Sequence, residues 1–271
     1  MTIGQGIGAR PGALQGGRQM RIEYLYRYPV KGLSAEALEA AEVEPGGAIP
    51  WDRAFALAQG DAGFDPAHPT FLPKYHFMCL MKNASIAGLR ALFDPRSGRL
   101  SITAADGSGV AADALSPAGR RELGAFLTAR LGAEARGQPQ FVHVPGHVFG
   151  DQRGAVVSLI GLASWRDFQA RVGARRQRRR FRANIWFSGA APFAELDWVG
   201  RDLQVGGAVL RVRKRIARCP ATEVNPETAE RDADPVAELR ALYGHPDLGV
   251  VADVIEGGRF AVGDGIALLP V

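Results

Sequence analysis

Residues 203–220 read LQVGGAVLRVRKRIARCP, and this segment is the strongest indication of a β fold in the sequence. On either side of Gly206 and Gly207 lies a run rich in β-branched and other apolar residues. Paired glycines supply the positive φ values of a tight turn, so the stretch predicts a hairpin of two antiparallel strands. The second run continues to Cys219, and Pro220 then ends it because proline has no backbone N–H to donate to a sheet.

Cys219 is the first candidate functional residue. Five lysine and arginine residues occupy positions 211–218, immediately before it. Nearby positive charge favours the thiolate, which is the form of cysteine that binds metals or attacks electrophiles. The alternative is a small buried hydrophobe, the usual role of a free cysteine.

Working outward from the hairpin, other short runs with a period of two predict further strands. In the first of them Ile22, Tyr24 and Tyr26 are expected on one face. Three helices are predicted from their capping residues: one opens at Ser116-Pro117 and ends at Gly132, one runs from Ser164 to Gly173, and one from Asp234-Pro235 to Gly244. The pattern predicts an α+β protein, mainly β, with mostly antiparallel strands.

The 271 residues are enough for two domains. A disordered leader is expected over residues 1–19, because this stretch is glycine-rich and lacks the apolar centre of a signal peptide. The first domain is predicted over residues 20–147 and the second over residues 148–271. The turns at 143–147 and 150–153 are the expected linker.

The amino-acid composition limits the classes of protein to which the chain can belong. The chain is 46% hydrophobic and 23% charged, as in ordinary globular proteins, and no apolar run is long enough to predict a membrane-spanning helix. Its two cysteines cannot form a disulfide framework, which predicts a reduced, cytoplasmic protein. Cys79 lies in an apolar run and is expected in the core. The histidines are scattered, and no pair has the spacing of a zinc motif.

Several segments resemble the MOSC proteins, the family named after the C-terminal domain of molybdenum-cofactor sulfurase. The resemblance covers nearly the whole chain from about residue 20 to residue 271. It rests on LYRYPVKGL (25–33), GGAIPWDRAF (46–55), RFRAN (180–184), IARCPATEVNPET (216–228) and EGGRFAVGD (256–264). The resemblance implies an N-terminal β-barrel domain followed by a MOSC β-barrel, with a molybdenum cofactor between the two.

The resemblance also implies a set of site residues. Cys219 matches the cysteine that binds the metal, and a soft thiolate suits a redox-active transition metal. Gly32 stands where the family usually has serine, which removes a hydroxyl donor but leaves a backbone N–H. The residues that the resemblance assigns to the phosphate and pterin of the cofactor are Lys31, Gly32, Arg53, Arg182, Asn184 and Arg218.

Each of these side chains also has a purely structural alternative. Lys31 could be a surface lysine at a turn, and Arg53 could pair with its neighbour Asp52. Asn184 could cap a turn, and Arg182 could be one more solvated member of an arginine run. The sequence alone leaves these alternatives open.

The resemblance extends to amidoxime-reducing proteins, which implies a molybdenum-dependent oxidoreductase for N-hydroxylated small molecules. Because no cysteines remain for a fused iron–sulfur domain, a separate protein would supply the electrons. Members of the family have also been linked to pyridoxal phosphate, but no lysine here stands out as a Schiff-base former, so the sequence does not support that cofactor.

Two other functions remain open at this point. Cys219 could carry a persulfide, which would make the chain a sulfur carrier or a cofactor-delivery protein. The chain has a net charge of +5 and two arginine-rich runs, so it could instead bind nucleic acid. Few aromatic residues interleave with these arginines for base stacking, so nucleic acid is the less favoured partner.

Overall fold

The computed structural model describes residues 19–270. The predicted leader therefore lies outside the described residues, apart from its last residue. Within the described range the strands are β1 (Met20–Arg27), β2 (Glu36–Leu38), β3 (Ala40–Val43), β4 (Phe55–Ala58), β5 (Arg90–Asp94), β6 (Arg99–Thr103), β7 (Gly109–Asp113), β8 (Gln140–His143), β9 (Val157–Gly161), β10 (Ile185–Ser188), β11 (Asp202–Val205), β12 (Ala208–Ala217), β13 (Asp247–Glu256), β14 (Gly258–Ala261) and β15 (Gly265–Leu268). The α-helices are α1 (Pro117–Leu131), α2 (Leu162–Val172) and α3 (Pro235–Tyr243).

Seven strands form a closed barrel in the order β10-β9-β13-β12-β11-β15-β1, and pairing of β1 with β10 closes it. The predicted hairpin is present, with Val205 opposite Ala208 across the turn at Gly206. Apolar side chains fill the interior, among them Ile22, Leu159 and Leu210. The prediction of a mainly β fold with a barrel and a few helices is confirmed.

The first strand of the chain belongs to this barrel, although its other members all come from the second half of the sequence. β1 pairs with β10 and β15, and β3 pairs with β14. The two halves of the sequence are therefore interlaced in space. The division of the chain at residue 147 stays a prediction, and β1 and β3 pair with strands on the other side of it.

The prediction that Ile22, Tyr24 and Tyr26 share one face of β1 is wrong after Glu23. A bulge between Ile22 and Tyr24 shifts the pairing with β10. Ile22 and Leu25 point into the core, whereas Tyr24 is 40% exposed. A bulge adds one residue to a strand, so the side chains that follow it change faces.

The remaining strands build a smaller unit from the first half of the chain. β5, β6 and β7 form one antiparallel sheet, β4 pairs with β8, and α1 packs against β7 and β8. A second core joins them around residues such as Phe55, Leu100 and Leu123.

Two of the three helix starts are confirmed. The hydroxyl of Ser116 accepts from Gly119 N at the start of α1, and Asp234 caps α3 in the same way. The expected start of α2 is wrong, because the helix begins at Leu162 and Ser164 lies inside it. Within residues 19–270 none of the helices is both long enough and apolar enough to cross a bilayer.

Candidate functional site

One pocket lies between the barrel and the smaller unit, and it brings together every predicted site residue. Its lining includes Lys31, Gly32, Arg53, Arg182, Asn184, Arg218 and Cys219. Six basic and two acidic side chains line it in all, so the pocket is strongly positive. The turn around Gly150, expected as part of a linker, forms one wall.

Cys219 sits just beyond the end of β12. It precedes a 3-10 turn, Pro220–Glu223, whose first residue is the proline. Both N–H and hydroxyl of Thr222 donate to the carbonyl of Cys219, at 3.0 and 2.9 Å. These bonds fix the backbone while the side chain stays partly exposed in the pocket.

The arginines on β12 do not supply the positive charge around this sulfur. Their guanidinium groups pair instead with carboxylates outside the pocket. The pairs are Arg211 with Asp202, Arg213 with Asp253 and Arg215 with Asp197. The expectation that the sequence neighbours of Cys219 favour its thiolate is therefore wrong for these three residues, because each guanidinium is held by a carboxylate that does not line the pocket.

Lys74 supplies the charge instead. Lys74 and Cys219 line the same pocket. Burial disfavours the ammonium of Lys74, but its interactions with Cys219 and Asp151 together outweigh burial, so the pKa of Lys74 is raised. Lys74 also lies 3.7 Å from Asp151 Oδ2.

Asp151 bridges Lys74 to Lys31. Its Oδ1 accepts from Lys31 Nζ at 2.5 Å, and the same ammonium donates to the carbonyl of Phe149 at 3.0 Å. Lys31 is only 6% exposed, and burial lowers its pKa despite Asp151. The surface-lysine alternative for Lys31 is thus wrong.

Arg53 and Arg182 pack on Tyr28. Their guanidinium carbons lie 4.9 and 4.3 Å from the centre of the Tyr28 ring. Arg53 also forms the salt bridge with Asp52 that the structural alternative predicted. It lines the pocket as well, so both interpretations of Arg53 apply. Burial lowers the pKa of Arg182 to about 10, which leaves it charged at neutral pH.

The backbone around these arginines is unusual. Arg53 and Arg182 have φ values of 53° and 52°, in the left-handed region that residues other than glycine rarely adopt. Strained residues of this kind persist where surrounding contacts hold them, and they concentrate at functional sites. Arg53 is held by its N–H donating to Tyr28 O and by its carbonyl accepting from Phe149 N.

The side chain of Asn184 forms hydrogen bonds to both β9 and β1. Its Oδ1 accepts from the N–H and the hydroxyl of Ser158, at 3.1 and 2.7 Å, and its Nδ2 donates to Tyr26 O. Asn184 is 1% exposed. One Nδ2 hydrogen remains beyond these bonds, because a primary amide carries two.

Gly32 offers a buried donor in the pocket. Among the described residues none accepts a hydrogen bond from its N–H. Its φ of +88° is in the region that favours glycine, and a Cβ there would lie 2.8 Å from Ile86 Cδ1. A buried N–H without an acceptor is costly, so this one fits a ligand atom that accepts it.

The sequence interpretation missed Lys74, Asp151 and Tyr28. Tyr28 lies within the quoted segment 25–33, so its place beside Lys31 was a usable signal. Lys74 opens the 3-10 turn Lys74–His76, and Asp151 lies in the turn at 150–153 that was expected only as a linker. No spacing rule links either residue to Cys219. Their contacts arise only from the tertiary fold.

The arginine-rich run at 171–182 is largely neutralised. Four of its arginines pair with carboxylates on the loop after the 3-10 turn Pro220–Glu223 and on α3. Those pairs are Arg175 and Arg179 with Glu227, Arg176 with Glu238, and Arg180 with Asp232. The run therefore offers less free positive charge than the sequence suggests.

Two family models match the chain. The MOSC N-terminal beta barrel domain matches residues 19–143, and the MOSC domain matches residues 145–267. The chain belongs to the MOSC family. Together the two matches include all of the strands described above except the end of β15.

One curated relative of this MOSC protein is distant in sequence. Mitochondrial amidoxime-reducing component 1 of Mus musculus is 31% identical over 123 residues, which span 41% of this chain and 36% of the mouse protein. The alignment thus covers well under half of that relative.

Two solved structures are also similar. YuaD from Bacillus subtilis has a TM-score of 0.43 and 16% identity, over 92% of this chain and 94% of that one. YiiM from Geobacillus stearothermophilus has a TM-score of 0.33 and 16% identity, over 42% and 54%. At these TM-scores neither likeness supports an inference.

Proposed function

We propose that this protein binds a molybdenum cofactor in the positive pocket and reduces N-hydroxylated small molecules, with Cys219 as the protein ligand of the metal. The observation that carries the proposal is that basic residues from separate segments of the chain line one pocket together with the part-exposed thiol of Cys219. The amidoxime-reducing relative supports the choice of substrate class.

The residues of the pocket fit the proposed cofactor. A phosphate group needs cations and N–H donors, and Lys31, Lys74 and the free N–H of Gly32 provide them. A dithiolene-bound metal needs one further soft ligand, which the sulfur of Cys219 provides. Among the described residues no three His, Cys, Asp or Glu side chains are grouped to hold a metal by themselves.

Each residue then has a defined task. Lys31, Arg53 and the backbone of Gly32 would bind the phosphate, and Arg182 and Asn184 would contact the pterin. Lys74 would place a positive charge in the pocket that holds the sulfur of Cys219. Polar and charged groups around a metal-bound sulfur tune the electronic properties of a centre.

The bound cofactor supplies two-electron, oxygen-atom chemistry. Reduction of an N-hydroxylated compound breaks its N–O bond and releases the oxygen as water, and it consumes two electrons and two protons. A separate donor protein provides the electrons, and solvent provides the protons. The cytoplasm stays the predicted location.

The test compares three proteins made in a host that synthesises the cofactor: wild type, Cys219→Ser and Cys79→Ser. Molybdenum is measured by elemental analysis and pterin by fluorescence after denaturation. We expect about one metal per wild-type chain, full retention in Cys79→Ser and a fall of at least tenfold in Cys219→Ser, because the only protein ligand is lost. Circular dichroism checks that all three are folded.

Full molybdenum in folded Cys219→Ser would refute the ligand assignment. Absence of molybdenum and pterin from wild type, with a labile extra sulfur on Cys219 by intact mass, would favour the sulfur-carrier function instead. Amidoxime reduction is then assayed with a chemical electron donor on the metal-loaded protein.

A further inference from the structure

Each of the three nitrogens of the Arg218 guanidinium donates a hydrogen bond to a backbone carbonyl. Its Nε donates to the carbonyl of Leu248 at 2.8 Å, and one terminal nitrogen donates to the same carbonyl. The other terminal nitrogen donates to the carbonyl of Phe181 at 2.8 Å. The guanidinium is thus turned toward backbone oxygens, although the resemblance assigns Arg218 to cofactor binding.

These two carbonyls belong to segments that are far apart in the sequence. Phe181 ends the 3-10 turn Arg178–Phe181, and Arg182 follows it directly. Leu248 lies at the start of β13. Arg218 itself is the residue before Cys219, so a single side chain ties the Cys219 segment to the Arg182 segment.

The surrounding structure is shaped around this guanidinium. Gly249 has a φ of +81°, and a Cβ there would lie 3.3 Å from a terminal nitrogen of Arg218 and 2.5 Å from Leu159 O. The ring of Phe181 packs 5.6 Å from the guanidinium carbon. The backbone N–H of Arg218 also donates to Pro246 O at 2.9 Å. Backbone and side chain together leave the residue little freedom.

We infer that Arg218 is a positioning residue, which sets the sulfur of Cys219 and the side chain of Arg182 at a fixed separation before any ligand enters the pocket. The inference rests on the proposed function for its biological meaning, but its geometry concerns the protein alone. Preorganised ligands bind more tightly, because less conformational freedom is lost on binding. Arg218 therefore acts through Cys219 and Arg182.

The test uses the full chain without cofactor in a Cys79→Ser background, so that Cys219 is the single thiol. Arg218→Met keeps an unbranched apolar stem and removes the donors, whereas Arg218→Lys keeps one donor group. Arg215→Met is the matched control, since Arg215 lies on β12, three residues before Arg218, and donates to a carbonyl, that of Leu196, outside the pocket. The readouts are the rate of Cys219 alkylation by iodoacetamide and hydrogen exchange in residues 178–184.

We expect Arg218→Met to change the alkylation rate by at least about threefold and to speed exchange in residues 178–184 by about tenfold. Arg218→Lys should fall between Arg218→Met and wild type, and Arg215→Met should match wild type. A purely structural role would lower the melting temperature without changing either readout in the folded protein at 10 °C. Unchanged alkylation and exchange in folded Arg218→Met would overturn the inference.

A second measurement separates this inference from the proposed function. If wild type binds molybdenum, Arg218→Met should reduce its metal content by about tenfold, as loss of an outer-shell partner does elsewhere. If wild type binds none, the proposed function fails, and the alkylation and exchange results still decide the role of Arg218.

Discussion

Gly32 shows how one residue limits the chemistry of the pocket. It combines a positive φ with close neighbours, Ile86 Cδ1 and the carbonyl of Met78, at 2.8 and 3.3 Å from a built Cβ. The serine that the resemblance places at this position would therefore not fit here without rearrangement. Recognition at this point of the pocket depends on the backbone N–H.

Gly32→Ser should lower the free energy of unfolding by about 2 kcal/mol, because it combines a left-handed backbone with a steric clash. Gly46→Ser is the control, since Gly46 also has a positive φ, of 71°, but a Cβ there meets nothing within 4 Å. It should cost only about 1 kcal/mol. Urea denaturation measures both, and equal losses would show that the clash at Gly32 is relieved at no cost.

Residue identities in the pocket were largely predictable, but their partners were not. The quoted segments contain Lys31, Arg53, Arg182 and Cys219, and all four line one pocket. Asp151 could not be assigned, because its contact with Lys31 joins two loops that no sequence pattern relates. The sequence predicted that the pocket would be positively charged. It did not predict that Lys74 would line the pocket together with Cys219.

At the scale of elements, Glu195 joins α2 to the 3-10 turn Ala194–Trp198. Its fully buried carboxylate accepts from Gly161 N at 3.0 Å and from the hydroxyl of Ser164 at 2.7 Å. This explains the wrong start predicted for α2, because Ser164 bonds to a distant carboxylate instead of capping the helix. Sequence periodicity cannot report such a long-range bond.

Glu195→Gln should change the pH dependence of stability. Burial raises the pKa of Glu195 in the folded protein above its ordinary value of 4.5. A raised pKa gives stability that is fully present below the unfolded pKa and is lost as the pH rises through the folded pKa. Relative to the variant, wild type should therefore lose stability from pH 4 to pH 8.

Urea denaturation of both proteins at pH 4, 6 and 8 measures this difference. Asp202→Asn serves as a control, since Asp202 pairs with Arg211 outside the core. A constant difference between wild type and Glu195→Gln over the whole range would contradict the assigned burial effect.

For the whole molecule, β1 is the strand on which the barrel depends. Without it, β10 and β15 become open edges, and the interior loses Ile22 and Leu25. Open edges and an exposed core both destabilise a barrel. The pocket would also lose its shape, because its lining comes from both halves of the chain.

A fragment of residues 145–271 should therefore fail to unfold cooperatively, although it spans the MOSC domain match. Addition of a peptide of residues 19–44, which carries β1 to β3, should restore part of the barrel, whereas a peptide of residues 89–114 should not. Near-ultraviolet circular dichroism and thermal denaturation follow the change. Cooperative unfolding of the fragment alone would show that β1 is dispensable.

The place of β1 has a consequence for biosynthesis. The ribosome makes β1 before the other strands described, but Met20 pairs with Ile266, which follows it only much later in the chain. The nascent barrel cannot close until β15 has been made, and β1 must wait without this partner while the smaller unit forms. Pairings so distant in sequence fold slowly. Cells that overproduce this chain should therefore accumulate aggregates when translation is fast, and co-produced chaperones should lower that fraction.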